Sequence, residues 1–132
     1  MLEPARCAVS EAPPLDAADQ DVLREAAGEG ALREHAPIGV DGAALGWTLE
    51  PPDADALARS VRALAARGLP ALVRGGASRL GFGNPPRGPR VVLSTGALAG
   101  IEELDAAEGV LCARAGTPLA TLRAALEDGA WE

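Results

Sequence analysis

Leu69-Pro70-Ala71-Leu72-Val73-Arg74-Gly75-Gly76-Ala77-Ser78-Arg79-Leu80-Gly81-Phe82-Gly83-Asn84-Pro85-Pro86 is the stretch that decides the reading of this 132-residue chain. The apolar run Ala71-Leu72-Val73 follows the breakers Gly68 and Pro70, which reads as a short buried strand. After Arg74 come four glycines, at 75, 76, 81 and 83. With few side chains in the way, backbone N–H groups there can converge on one anion. Arg74 and Arg79 bracket Gly75-Gly76, and Ser78 adds a hydroxyl, a set suited to a phosphate or pyrophosphate. Composition alone leaves open a mobile surface loop with incidental arginines.

Charge is distributed around this stretch unevenly. Residues 1–55 hold twelve acids against three arginines, and residues 102–132 hold seven acids against two. Residues 56–101 hold seven arginines and no acid, inside a chain whose net charge is −7. A local positive field within an acidic protein suits a small anion and repels a polyanion. Trp47, Phe82 and Trp131 are the only aromatic residues, so single-stranded nucleic acid would find no stacking platform. Arg59 and Arg62 read as solvent-facing helix residues.

Composition excludes other classes. Cys7 and Cys112 make no disulfide framework, and Cys112, inside an apolar run, reads as a buried small hydrophobe. His35 is the single histidine, reads as a surface residue, and has no cysteine beside it, so no metal is expected. Met1 to Ser10 lacks the apolar core of a signal peptide, and no apolar run is long enough to cross a membrane. A cytoplasmic protein with no membrane insertion is the expectation.

Outward from the glycine loop, the chain divides into a disordered lead-in over 1–16, an N-terminal helix with an irregular segment over 17–44, and a regular region over 45–132. Asp16 is placed as N-cap of the first helix, Val22, Leu23, Ala26 and Ala27 as its apolar stripe, and Gly28 as its stop. Turn residues crowd 29–45, with a short extended piece around Ile38–Val40. Trp47-Thr48-Leu49 is a short strand. Asp53 caps a second helix whose apolar face reads as Ala54, Leu57, Val61 and Leu64, with Arg67 and Gly68 at its end. With the strand at 70–73 this makes a β-α-β unit whose strands run parallel. Arg90–Ser94 is a third strand. Ile101–Asp105 and Val110–Ala115 form a hairpin, and Thr117-Pro118 starts a final helix with Leu119, Leu122 and Leu126 on its apolar face.

The loop fails two phosphate-binding patterns. Gly76 and Gly81 have P-loop spacing, but Phe82 stands where lysine is required. Gly81-Phe82-Gly83 leads into Asn84-Pro85-Pro86, so the dinucleotide pattern fails as well. No helix follows the loop, so no helix-dipole site is expected.

Four segments in order carry a resemblance: 52–70 (P-x-D-A-D-A-L-A-x-x-V-x-A-L-A-x-x-G-L-P), 73–86 (V-R-G-G-A-S-R-L-G-F-G-N-P-P), 91–105 (V-V-L-S-T-G-A-L-A-G-I-E-E-L-D) and 113–126 (A-R-A-G-T-P-L-A-T-L-R-A-A-L). Together they resemble the FAD-binding domain of the vanillyl-alcohol oxidase / p-cresol methylhydroxylase type. The nearest flavour is that of FAD-binding subunits of bacterial glycolate oxidase and related 2-hydroxy-acid dehydrogenases. The resemblance implies an α+β fold: a β-α-β unit followed by strands and a C-terminal helix, the small N-terminal lobe of such a domain. It implies that Arg74, Gly75, Gly76, Ala77 and Ser78 stand at the family's R-G-G-G-[TS] loop around the FAD pyrophosphate, with Arg79 and Leu80 following. Asn84 stands at a G-N-P-P variant of the loop. Ala77 replaces the third glycine, tolerable where φ is negative or the loop shifts. Gly116 is expected to serve a turn rather than the ligand.

No histidine occurs at 74–86, so FAD is expected to be non-covalent. The implied chemistry is hydride transfer from a small 2-hydroxy acid, such as glycolate or lactate, to the flavin. The second lobe and the substrate domain of the family are expected beyond residue 132. No catalytic residue is therefore assigned within 1–132, and the chain alone is expected to retain little FAD. Partner subunits of an oxidoreductase complex are a further expectation. The competing reading is a non-catalytic remnant or accessory module that binds a partner chain.

Overall fold

A computed structural model of the chain describes residues 10–11, 14–40, 42–80, 82, 84 and 86–128. The elements in order are β1 (Ser10–Glu11), α1 (Ala17–Ala27), β2 (Leu32–Val40), β3 (Ala43–Leu49), α2 (Ala54–Ala66), β4 (Ala71–Arg74), β5 (Val91–Ser94), β6 (Ile101–Asp105), β7 (Val110–Ala113) and α3 (Leu119–Asp128). The fold is the α+β lobe expected from the sequence.

Helix signals in the sequence act where they were read. The Asp16 carboxylate accepts the Asp19 N–H at 2.7 Å to cap α1, and Gly28, with φ 98°, closes it. The Asp53 carboxylate accepts the Ala56 N–H at 2.7 Å to cap α2. Gly68, at φ 61°, takes the left-handed turn that ends α2. On α2, Leu64 is buried and Leu57 packs against the core as expected, whereas Ala54 is exposed, Val61 is half exposed, and Ala56 and Ser60 are buried in their place. Ser60 is buried at no cost in unmade hydrogen bonds, because its hydroxyl donates to the Ala56 carbonyl at 2.7 Å.

β5 lies between β3 and β4, parallel to both, with Leu49 opposite Leu93 and Arg74 opposite Ser94. The two strands of the β-α-β unit are thus parallel as expected, with the third strand inserted between them. All four residues of β5 are buried, as its apolar run requires. The core joins Leu23 and Ala27 of α1 and Leu64 of α2 to Leu49, Val91 and Leu93 of the sheet, with Trp47 and Leu57 packed against its rim.

The segment 29–45 was expected to be irregular and is a hairpin. β2 pairs antiparallel with β3 from Leu32–Leu49 to Val40–Ala43. Its polar residues and Pro37 hid it: β2 is an edge strand, and its register shifts between Glu34 and Ile38, where a proline without an N–H is tolerated. His35 is half-buried on β2 rather than a plain surface residue. Its Nδ1 donates to the Ala36 carbonyl and its Nε2 accepts the Thr48 hydroxyl, both at 2.8 Å.

Most of the lead-in lies outside the described residues, as do Cys7, Trp131 and Glu132. Ser10–Glu11 pair parallel with Ala43–Ala44, and Leu15 is buried in the core. Cys112 is exposed, contrary to expectation: the hairpin β6–β7 stands as its own two-stranded sheet, and the apolar run there meets no core.

Candidate functional site

The carboxyl ends of β3, β4 and β5 lie side by side, the place where open α/β sheets bind ligands. The glycine loop leaves β4 at this end. Thr95 follows β5 here, its N–H donating to the Arg74 carbonyl at 2.9 Å. A third segment, the turn Arg114–Thr117, comes in from the hairpin: the Gly116 N–H donates to the Leu98 carbonyl at 2.8 Å. A Cβ at Gly116 would run into the Thr95 carbonyl and stand 2.9 Å from that of Leu98. Gly116 therefore serves the turn.

Val73 to Leu80, with Leu119, line a hollow of about 280 Å³ at this junction. Seven of the residues singled out in the sequence, Arg74, Gly75, Gly76, Ala77, Ser78, Arg79 and Leu80, come together there. Asn84 is exposed further along the loop and is not among the lining residues. Val73 and Leu119, expected in a buried strand and on a helix's apolar face, are instead 62% and 58% exposed and line the hollow, β4 being the edge strand of its sheet among the described residues. Leu119 is the first residue of α3, so the helix start absent from the loop's continuation arrives from elsewhere in the chain. Thr117 does not spend its hydroxyl on capping α3: it donates to the Arg114 carbonyl at 2.7 Å and receives the Gly100 N–H at 3.0 Å.

Three observations suit this hollow to an anion. Gly75 and Gly76 have no positive φ, a Cβ on Gly76 would meet nothing within 4 Å, and one on Gly75 would make ordinary contacts of 3.6 Å. Neither glycine is needed by the chain's own packing, so their bare backbone serves whatever lies against them. The Arg74 Nε is buried and has no hydrogen-bond partner among the described residues, which leaves a donor that an anion could satisfy. Finally, no carboxylate lines the hollow.

A larger cleft of about 420 Å³, on the side of Ala115 facing Asp53, Asp55 and Glu102, has the opposite character. Its one cation, Arg114, is already paired with Glu102 at 2.9 Å. Of the two, the smaller hollow has the lining that suits an anion.

Ala77 adopts φ 60°, the left-handed region that costs an L-residue about 1–2 kcal/mol. The loop keeps the backbone course of a glycine at this position although alanine occupies it.

These features describe a small α+β lobe whose glycine loop and hollow lie at the carboxyl edge of its parallel strands. A family model described as "FAD binding domain" matches residues 47–132, and the chain belongs to that family; its cofactor is FAD. Among solved structures, the chain is similar to p-cresol methylhydroxylase with substrate bound, with a TM-score of 0.65 and 10% identity over 86% of this chain and 25% of that one. It is also similar to 4-ethylphenol oxidase from Gulosibacter chungangensis in an isoeugenol complex, with a TM-score of 0.69 and 18% identity over 90% of this chain and 26% of that one. The chain thus spans about a quarter of the length of those proteins. No curated protein sequence matches it. Among the described residues, no helix is long and apolar enough to cross a membrane and no cluster of metal ligands occurs.

Proposed function

We propose that residues 74–80 hold the pyrophosphate of FAD non-covalently, and that the chain is the pyrophosphate-binding lobe of a flavin-dependent oxidoreductase. The observation that carries this is Gly75-Gly76: two glycines required by neither backbone conformation nor packing, beside a buried guanidinium nitrogen with no partner. In the proposed arrangement the loop amides and the Ser78 hydroxyl donate to phosphate oxygens, and Arg74 and Arg79 supply the countercharge. Leu80, Val73 and Leu119 give the hollow an apolar side. Asn84, outside the hollow, is proposed as a more distal polar contact to the nucleotide. Bound FAD would supply the redox chemistry by accepting a hydride. None of residues 1–132 is assigned a catalytic role.

The substrate proposed is a small 2-hydroxy acid of the glycolate or lactate kind, supported by the resemblance of 73–86 to the glycolate-oxidase flavour of the loop. The two similar structures are named for phenolic compounds; at 10% and 18% identity they speak for the fold alone.

Titration of the chain with ADP, which carries the same pyrophosphate, followed by ¹H–¹⁵N spectra, tests the assignment. Shifts concentrated at the amides of Gly75, Gly76, Ala77 and Ser78 are expected. Shifts confined to the cleft at Asp53, Glu102 and Arg114 would refute it.

A further inference from the structure

Thr95 sits beneath the glycine loop without lining the hollow, and its connections exceed those of an ordinary turn residue. It is buried, at 9% exposure, one position past the end of β5. Its N–H and its hydroxyl both donate to the Arg74 carbonyl, at 2.9 Å and 3.4 Å. Its own carbonyl accepts the Leu98 N–H at 2.8 Å and is the atom that leaves no room for a Cβ at Gly116. Its Oγ1 lies 3.6 Å from where a Cβ on Gly75 would stand. One residue thus touches the start of the glycine loop and the two turns that meet it.

The consequence for the loop follows from peptide geometry. In a trans peptide the C=O and the following N–H point in opposite directions. Holding the Arg74 carbonyl toward β5 turns the Gly75 N–H away from the sheet, to the open side of β4. There β4 has no strand neighbour among the described residues, and the hollow lies along the residues that follow.

We propose that Thr95 is a positioning residue for the anion cradle: its hydroxyl and amide fix the Arg74–Gly75 peptide so that the Gly75 N–H is presented to the ligand. This rests on the reading of residues 74–80 as the pyrophosphate site. The hydroxyl is the separable part, since the amide survives any substitution. It also explains a threonine where an apolar residue of equal shape would fill the same buried space.

The test titrates inorganic pyrophosphate into the 132-residue chain and its variants, followed by amide shifts and by thermal melting. Thr95→Val keeps the branched shape and removes the hydroxyl; Thr95→Ser keeps the hydroxyl and removes the methyl. The expected result is that Thr95→Val weakens pyrophosphate binding about fivefold, the size of one neutral hydrogen bond, with the Gly75 amide moving least toward its bound position. Thr95→Ser is expected to bind as the wild type does. Equal affinity in wild type and Thr95→Val overturns the proposal while leaving the cradle intact. Loss of binding in Thr95→Ser equal to that in Thr95→Val also overturns it, since packing would then be the cause. If pyrophosphate moves none of the Gly75–Ser78 amides in the wild type, the cradle itself is refuted and Thr95 with it. Thr95→Ala replaces the valine variant if that one loses its native spectrum.

Discussion

The Arg74 carbonyl and the Thr95 N–H are 2.9 Å apart, and this one bond joins the start of the glycine loop to the end of the central strand. Through it the glycine loop is anchored on β5, whose four residues are buried. A loop of bare backbone can be well placed only if its first residue is, and here the sheet places it.

Ala77 should be improved by glycine. Its φ of 60° costs an L-residue about 1–2 kcal/mol, of which the greater freedom of glycine in the unfolded chain takes back part. Ala77→Gly is expected to stabilise the chain by about 0.5–1 kcal/mol in urea unfolding. A destabilised variant would show that the alanine methyl makes a needed contact.

Gly116 should not tolerate a methyl group. The Cβ of Gly116→Ala would press on the backbone carbonyls of Thr95 and Leu98, which cannot swing aside like a side chain. A loss of about 2–3 kcal/mol is expected, as for overpacking of a rigid site. Gly76→Ala, with open space at its Cβ, is expected to change stability by less than about 1 kcal/mol. Chemical denaturation of the two variants side by side checks the contrast.

Two ion pairs should differ in weight. Asp19, 5% exposed, accepts Arg67 through both Nε and Nη2 at 2.7 Å, which ties α1 to the end of α2. Arg67→Met leaves that carboxylate buried without its partner. Because Arg67 itself is over a third exposed, the expected loss is discounted to roughly 2 kcal/mol. Arg114 and Glu102 are both more than half exposed, and Arg114→Gln is expected to cost under about 0.5 kcal/mol. Thermal melts at two salt concentrations separate the cases, since only the exposed pair should lose its small effect in salt.

How much was legible in the sequence follows from where each signal was local. Asp16, Gly28, Asp53 and Gly68 act on backbone within a turn of themselves, and all four boundaries they mark are found. Val91–Ser94 announces a central strand because burial on both faces leaves an unbroken apolar run. β2 stayed hidden because an edge strand needs only its backbone paired on one side and can carry Arg33, His35 and Pro37. On α2, Leu57 and Leu64 were legible as inward-facing, whereas the buried Ala56 and Ser60, weakly hydrophobic by type, were not. Cys112 was read as buried from an apolar run that the separate hairpin leaves uncovered. In the site, Arg74 to Leu80 were legible as a glycine and arginine cluster. Leu119 and Thr95 were not, because their place is set by pairings across 20 residues or more of chain.

The claim that Gly75-Gly76 lies against the FAD pyrophosphate is tested most directly by FAD titration of the wild-type chain and of Gly76→Asp, with amide shifts as the readout and melting temperature as the control. A carboxylate at position 76 would enter open space, so folding should be unaffected, but it would stand against the phosphate charges. The account predicts an unchanged melting temperature and no shift of the Gly75–Ser78 amides at FAD concentrations that shift them in the wild type. Undiminished FAD binding by a folded Gly76→Asp chain would contradict it.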